Sequence, residues 1–430
     1  MAENCRYARA QALLSEGRYA DALKIAGPIL EHHPDSFPAW YQVAVAAAHL
    51  KPGEAALKNL ENAAFALVRG LFPLQALLAF HETLIPGDIR ERLMDELADR
   101  YCLHEEGEFR PPAGTFARGE IPPWNTQLTD SEVIQMAESL SALCWANSLE
   151  TLQQCPGSCE MPLFSSLSST SFIQLAHASR VRQINSGQVI LPAGQQTTAI
   201  YFIICGKAHC QLEVGLGRRV RHSHSENDLL GEESIVTGNP ESADIVATEP
   251  CTLLELPVSV LLEICERESG AARFLSRHYQ RKILTLLLRE NPLLAALPLA
   301  ERRALLKGMT PVISEAGSPV FADGATICSY FNAINNPNGH KDCLLVFSGE
   351  ILSSPSPALS LNASPVDNVN VFGRGDWIDL EKWCQTTSAR PSLQAMENTV
   401  ALKLSQNEFR AIISRYPKAT EVVYPLHEGN

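Results

Sequence analysis

Residues 292–324 repeat the pattern of residues 162–194 without a gap, at an offset of 130. Pro162-Leu-Phe-Ser-Ser-Leu167 meets Pro292-Leu-Leu-Ala-Ala-Leu297, and Gly187 and Gly194 meet Gly317 and Gly324. After insertions the register resumes at an offset of 148, where Ala395-Met-Glu397 answers Ala247-Thr-Glu249 and Leu402 and Leu404 answer Leu254 and Leu256. The repeated unit is a short helix from Pro162 to His177, followed by brief β-rich runs punctuated by Gly187, Gly194 and Gly206. Short strands bounded by glycine at this spacing predict a β-sandwich of the jelly-roll kind. Glycines and apolar positions persist between the copies while polar ones do not, as expected of a shared fold under divergent function.

The start of the chain obeys a different period. Residues 4–103 are rich in Ala and Leu at helical spacing, with no strand pattern. Gly17-Arg-Tyr19-Ala-Asp-Ala22-Leu23, then Leu30, Pro34 and Trp40, resemble one tetratricopeptide unit over residues 7–40, with helix pairs expected at 40–68 and 73–102. Gly17 and Ala22 let paired helices approach closely, Tyr19 and Leu23 fill the seam, and Pro34 stops the second helix. Stacked pairs of this kind present a concave face, so a protein partner is expected through residues 1–103. Residues 104–128 hold Pro111-Pro112 and Pro122-Pro123 and read as a linker; Thr129-Asp-Ser-Glu132 then opens a short helix running through Trp145 and Leu149.

At 430 residues the chain exceeds what one core holds. The expected architecture is α+β and multidomain: a helical domain at 1–103, a linker with a short helix at 104–160, β-rolls with flanking helices at 161–290 and 291–418, and a tail at 419–430. Asn335–His340 and Ser353–Pro357 read as surface loops.

The central copy carries a recognisable signature. Its pieces are Pro162-Leu-Phe-x-x-Leu167, Gly187-Gln-Val-Ile190, Ala193-Gly194, Ile200-Tyr-Phe-Ile-Ile-Cys-Gly206 and Asn227-Asp-Leu-Leu-Gly231-Glu232-Glu233, then Ala243-Asp-Ile-Val-Ala247 to Leu253-Leu-Glu-Leu256. On these residues, 162–266 resemble the cyclic-nucleotide-binding domain shared by catabolite activator proteins and protein kinase A regulatory subunits. The resemblance implies one ligand, a cyclic nucleotide, held by a Gly backbone N–H, a Glu for the ribose hydroxyl and an Arg for the phosphate. Gly231 and Glu232 match the first two. The Arg position falls on Glu241, followed by Ser242 and Ala243, with Arg218, Arg219 and Arg221 as the basic residues on the preceding strand or turn. A unit charge pair at ~4 Å and an effective dielectric of ~20 is worth on the order of 4 kcal/mol, so losing that attraction weakens binding roughly a thousandfold. In the second copy Asp379-Leu380 stand where the first has Gly231-Glu232, and Ala389 stands opposite Glu241 with Arg390 one position on. Standard binding of cyclic AMP or cyclic GMP is therefore expected to be weakened or lost, and no other cofactor is expected. The competing expectation is a cyclic-nucleotide effector that binds in the first roll.

Other chemistry finds little support. His222-Ser-His224 with Glu226 superficially resembles a cupin metal motif, but the carboxylate comes too soon and the next His is His278. No dinucleotide fingerprint, Walker sequence or triad can be argued from spacing, so no enzyme is expected. Arg374-Gly-Asp376 reads as a turn. The net charge of −13 opposes a general nucleic-acid surface, and the residues after the second roll are too few for a helix-turn-helix reader; no DNA partner is expected. No apolar run reaches the ~18 residues of a membrane span, the first residues lack a signal-peptide core, and twelve scattered cysteines fit a reducing compartment; the expected location is the cytoplasm. Ala272, Leu275, Tyr279, Ile283 and Leu286 form an apolar stripe that implies a homodimer through helix 270–288, or packing on its own roll.

Overall fold

The computed structural model describes residues 3–102, 128–153, 161, 163–213, 219–318, 320, 342–355, 370–379 and 391–416. Three helical pairs open the chain: α1 (Glu3–Ser15) with α2 (Tyr19–His32), α3 (Phe37–Leu50) with α4 (Glu54–Arg69), and α5 (Pro73–Phe80) with α6 (Gly87–Tyr101). Gly17 makes the first turn at φ +74°, where the Arg18 N–H reaches back to Leu13 O and the Gly17 N–H to Leu14 O, closing the end of α1. Helix α3 is buried from Phe37 through Ala48, as its nearly unbroken apolar sequence requires. At its centre Trp40 is fully buried and its indole N–H donates to Asn59 Oδ1 at 3.1 Å.

Helix α7 (Asp130–Gln153) starts where the sequence places it. The Thr129 N–H donates to Glu132 Oε2 at 2.8 Å and the Glu132 N–H returns to Thr129 Oγ1 at 3.4 Å, a capping box. It is not short. The helix is 24 residues long; Val133, Ala137, Ser141 and Cys144 make one buried stripe along residues 133–144, and the helix packs on α2, α3 and α4. The apolar run through Trp145 and Leu149 lies within this helix, which ends at Gln153. The proline pairs at 111–112 and 122–123 lie outside the described residues.

The first roll begins with α8 (Ser169–Ala178) and runs through β1 (Arg180–Ile184), β2 (Val189–Leu191), β3 (Ala199–Cys205), β4 (Ala208–Glu213), β5 (Arg219–His224), β6 (Leu229–Leu230), α9 (Glu232–Thr237), β7 (Ile245–Ala247) and β8 (Cys251–Pro257). Its sheets have the orders β1-β8-β3-β6 and β2-β7-β4-β5. Every residue of β3 is buried, because α1 and α5 pack on the same strand that faces the roll interior. A strand covered on both faces has no reason to alternate, which accounts for the run Ile-Tyr-Phe-Ile-Ile-Cys. Helices α10 (Val258–Arg267), α11 (Ser269–Glu290), α12 (Pro292–Ala295) and α13 (Leu299–Gly308) follow.

The second roll contains β9 (Thr310–Ser314), β10 (Asp342–Ser348), β11 (Ile351–Pro355), β12 (Asn370–Phe372), β13 (Trp377–Asp379), β14 (Pro391–Ala395) and β15 (Thr399–Ser405), closed by α14 (Gln406–Arg415). Its sheets, β13-β10-β15-β9 and β12-β11-β14, repeat the strand order of the first roll. The repeat extends to single residues. Arg180 pairs with Glu255 as Thr310 pairs with Lys403, offsets of 130 and 148 that match the sequence comparison. The Gly187 N–H bonds Ala247 O and the Gly317 N–H bonds Ala395 O, each at 2.8 Å. Both central strands bulge at the same place, between Ile203 and Cys205 and between Val346 and Ser348. Ser353 to Pro355, expected in a loop, instead extend β11. Ladders to β12 and β14 and the burial of Ser353 hold them there, and Pro355 falls at the strand end, where a missing N–H costs least. Residues 335–340 lie outside the described residues.

The chain folds as two compact units: Met1–Cys210, His222–Glu232 and Glu241–Arg277 form one, and Gln211–Arg221, Glu233–Pro240 and His278–Asn430 the other. The helical pairs thus share a unit with the first roll apart from its segments Gln211–Arg221 and Glu233–Pro240. In α11 the buried stripe is Ala271, Leu275, Tyr279, Ile283, Leu286 and Leu287, shifted one residue from Ala272, and it is covered within the monomer. A homodimer through residues 270–288 would have to use another face of this helix. Among the described residues no helix is long and apolar enough to cross a membrane.

Candidate functional site

Strand β6 runs into Gly231, which turns at φ +87°. A Cβ there would lie 3.2 Å from both Ala199 O and Leu191 Cδ1, so only glycine takes this turn without displacing the β2–β3 connection. Glu232 follows, fully buried at the start of α9. On the return, the Glu241 N–H donates to Gln195 O at 3.0 Å and Glu241 O accepts from the Gly194 N–H at 2.9 Å. Three residues further, Asp244 Oδ1 accepts from the Ala193 N–H at 2.7 Å. Both ends of the segment therefore converge on the connection between Leu191 and Ala199. Glu241 is 5% exposed, Ser242 is exposed and Ala243 is 9% exposed. The frame brings Gly231, Glu232, Glu241, Ser242 and Ala243 to one edge of the roll, with an acidic residue where the resemblance asks for arginine. Arg221 is exposed on β5, while Arg218 lies outside the described residues.

The middle of the segment belongs to the second unit, which the chain enters after Glu232 and leaves before Glu241. There the Glu233 carboxylate forms an ion pair with Arg374, their side chains 14% and 9% exposed. The Tyr279 hydroxyl donates to Glu233 Oε1 at 3.4 Å, and Arg374 Nη2 donates to that hydroxyl at 3.3 Å. Burial opposes the Arg374 charge, but Glu233 and Tyr279 outweigh it and hold the pKa above its ordinary value. Asn239 and Asn398 exchange hydrogen bonds, Nδ2 to Asn398 O at 2.8 Å and the Asn398 N–H to Oδ1 at 3.1 Å, and Asn398 Nδ2 donates to Thr237 O at 2.9 Å. Neither Arg374 nor Asp244 stood out in the sequence as a functional residue. Arg374-Gly-Asp376 reads only as a turn, and its equivalence to Glu226-Asn227-Asp228 emerges once Gly375 N–H···Val346 O is set beside Asn227 N–H···Ile203 O.

In the second roll, Leu344 pairs with Ile378 as Tyr201 pairs with Leu230, so Asp379 occupies the register position of Gly231. Leu380, Ala389 and Arg390 lie outside the described residues. His224 is buried with Nε2 3.5 Å from Cys210 Sγ, and Glu226 Oε1 accepts from the Gly206 N–H at 3.3 Å. Among the described residues no group of three or more His, Cys, Asp or Glu is arranged to hold a metal ion. Burial pushes the Cys102, Cys144 and Cys251 thiols up to about 12 and Cys205 to about 11, which keeps them protonated and unreactive.

Residues 181–268 match the cyclic nucleotide-binding domain family and residues 3–46 match the tetratricopeptide repeat family. A protein named for a potassium channel in Rhodopseudomonas palustris is 31% identical over 116 residues, which are 26% of this chain and 27% of that protein. Lysophospholipase NTE1 of Coccidioides immitis is 24% identical over 227 residues, 48% of this chain and 14% of that protein. The chain thus spans about a quarter or less of the curated relatives it matches. Among solved structures, the regulatory domain of Toxoplasma gondii protein kinase A with cAMP is 15% identical, covering 61% of this chain and 90% of that one at a TM-score of 0.24. The regulatory subunit of a cAMP-independent protein kinase A from Trypanosoma brucei is 18% identical, covering 62% and 88%, also at 0.24. The chain carries a tetratricopeptide region followed by a cyclic nucleotide-binding domain. The roll between Thr310 and Ser405 repeats that domain's strand order and register.

Proposed function

We propose that this chain is a non-catalytic regulatory or adaptor protein whose first roll has given up the standard cyclic-nucleotide phosphate contact. The observation that carries the reading is Glu241. It is buried, its backbone is fixed by Gly194 and Gln195, and it stands in the place that the resemblance gives to arginine. A buried carboxylate facing a phosphate contributes repulsion where the family has attraction. The turn at Gly231 and the buried Glu232 remain, which supports a roll that has kept its shape and lost one determinant of its ligand. Gly231, Glu232, Ser242 and Ala243 are the proposed rim of the ancestral pocket, and the proposed domain limits are those read from the sequence. Regulation proceeds through a protein partner, in the cytoplasm, without a bound cofactor.

Titration calorimetry with cyclic AMP, cyclic GMP and a cyclic dinucleotide tests this. No saturable binding is expected of the natural chain, and Glu241→Arg should bring cyclic AMP binding into the micromolar range, the roughly thousandfold recovery of one charge pair. Micromolar binding by the natural chain overturns the reading in favour of a cyclic-nucleotide effector, and loss of that binding in Glu232→Ala would assign the ligand to this roll.

A further inference from the structure

Helix α5 lies against β3, where Gln75 Nε2 donates to Ile204 O at 3.3 Å, and α6 packs on α8. The C-terminal ends of α5 and α8 also meet. His81 caps α5 and Ser179 caps α8, with His81 Nε2 2.9 Å from Ser179 Oγ. The buried Ser179 hydroxyl gives its only hydrogen to Ala176 O at 2.6 Å, so it accepts from the ring and His81 Nε2 carries a proton. Phe80, 7% exposed, stands edge to face with His81 at 5.2 Å and with His177 of α8 at 5.1 Å between ring centroids. Arg90 of α6 and His177 are the cationic groups that act on His81, and Arg90 Nε is buried with no hydrogen-bond partner among the described residues. The neighbouring carboxylates are engaged elsewhere. Glu82 Oε1 accepts from the Leu84 N–H at 3.1 Å and lies 3.9 Å from His49 Nε2 of α3, while Glu91 Oε2 of α6 lies 3.5 Å from His177 Nε2. Asp88 at the start of α6 and Arg180 at the start of β1 are exposed.

A second proton on this ring leaves the bond to Ser179 in place and adds a charge. The ends of two helices favour that charge. Burial opposes it, because the cation gives up its water, and Arg90 and His177 repel it. We propose that the meeting of α5 and α8 is a proton-sensitive clasp between the helical region and the first roll, closed by neutral His81 and loosened by its imidazolium. The clasp is independent of whether the first roll binds a nucleotide. Burial holds the His81 pKa below its ordinary value, and Arg90 and then His177 press it the same way. A base whose folded pKa lies below its unfolded value of about 6.5 contributes stability that is complete above that value and is lost as pH falls through the folded one. Acid therefore loosens the clasp and uncovers Phe80.

Hydrogen exchange with mass spectrometry on the full chain, corrected for the intrinsic pH dependence of amide exchange, tests the proposal. Protection over the α5–α6 turn and the α8–β1 junction should fall about tenfold between about pH 7.5 and 5.5, while that of β10 and β15 holds. His81→Gln keeps an N–H for Ser179 and cannot take up a proton, so it should abolish the fall; far-ultraviolet circular dichroism confirms that the variant is folded. In proton NMR the His81 ring of the natural chain should titrate below its ordinary value, and Arg90→Gln should move that midpoint up, a shift that a merely structural contact would not produce. Constant protection in the natural chain, an equal fall in His81→Gln, or a His81 midpoint at or above the ordinary value would show that the helix ends prevail, and the proposal would be wrong.

Discussion

Glu397 shows how one side chain reports the state of the second roll. Burial raises its pKa first, the Glu350 and Glu233 carboxylates raise it further, and Arg374 opposes them. A carboxylate whose folded pKa lies above its unfolded value of about 4.3 contributes stability at low pH and loses it as pH rises through the folded value. At neutral pH the ionised group is therefore a net burden on the fold. Glu397→Gln should raise the thermal midpoint at pH 7 by roughly 2 °C or less, because the group is only partly buried and solvent screens it. The gain should shrink to nothing as pH is lowered through 4. A variant with the same midpoint as the natural chain across that range would show that the neighbouring carboxylates do not press on Glu397.

At the scale of elements, the two bulged strands end in glycines that tolerate nothing else. Gly206 turns at φ +100° with Pro250 O 2.4 Å from where a Cβ would stand, and Gly349 turns at φ +82° with Asn398 O at 2.7 Å. Gly206→Ala and Gly349→Ala should each cost about 1–3 kcal/mol in urea unfolding; two neutral substitutions would remove the hairpins from the list of register-setting features. The sequence showed the first of these glycines as a strand end and, through the offsets of 130 and 148, matched the segments that hold β1 and β8 to those that hold β9 and β15, because glycine turns and apolar periods are local signals. It was silent on the second bulge's partner contacts and wrong about Ser353 to Pro355, since a serine-proline run is locally a loop and only ladders to two neighbours make it a strand. The site was legible at Gly231, Glu232 and Glu241, which lie in one motif. It was illegible at Gln75, Asp244 and Arg374, whose partners lie 129, 51 and 141 residues away.

For the whole molecule, the burial of Arg374 has a consequence for dissection. A fragment beginning at His278 keeps β9 to β15 and Tyr279 but loses Glu233, whose carboxylate pairs with that guanidinium. Removing one member of a buried pair costs about 3–5 kcal/mol, so the fragment should unfold at markedly lower urea than the same roll in the full chain. Arg374→Met within the fragment should recover most of the difference; equal midpoints for the two fragments would show that the charge is tolerated bare. The cause is topological. The chain passes from one unit to the other after Cys210, Arg221, Glu232, Pro240 and Arg277, so the halves are sewn together by five passes of one thread. A single crossover in the gene that exchanged either half would leave a piece of it behind in the other, and that ties the inheritance of the two rolls together.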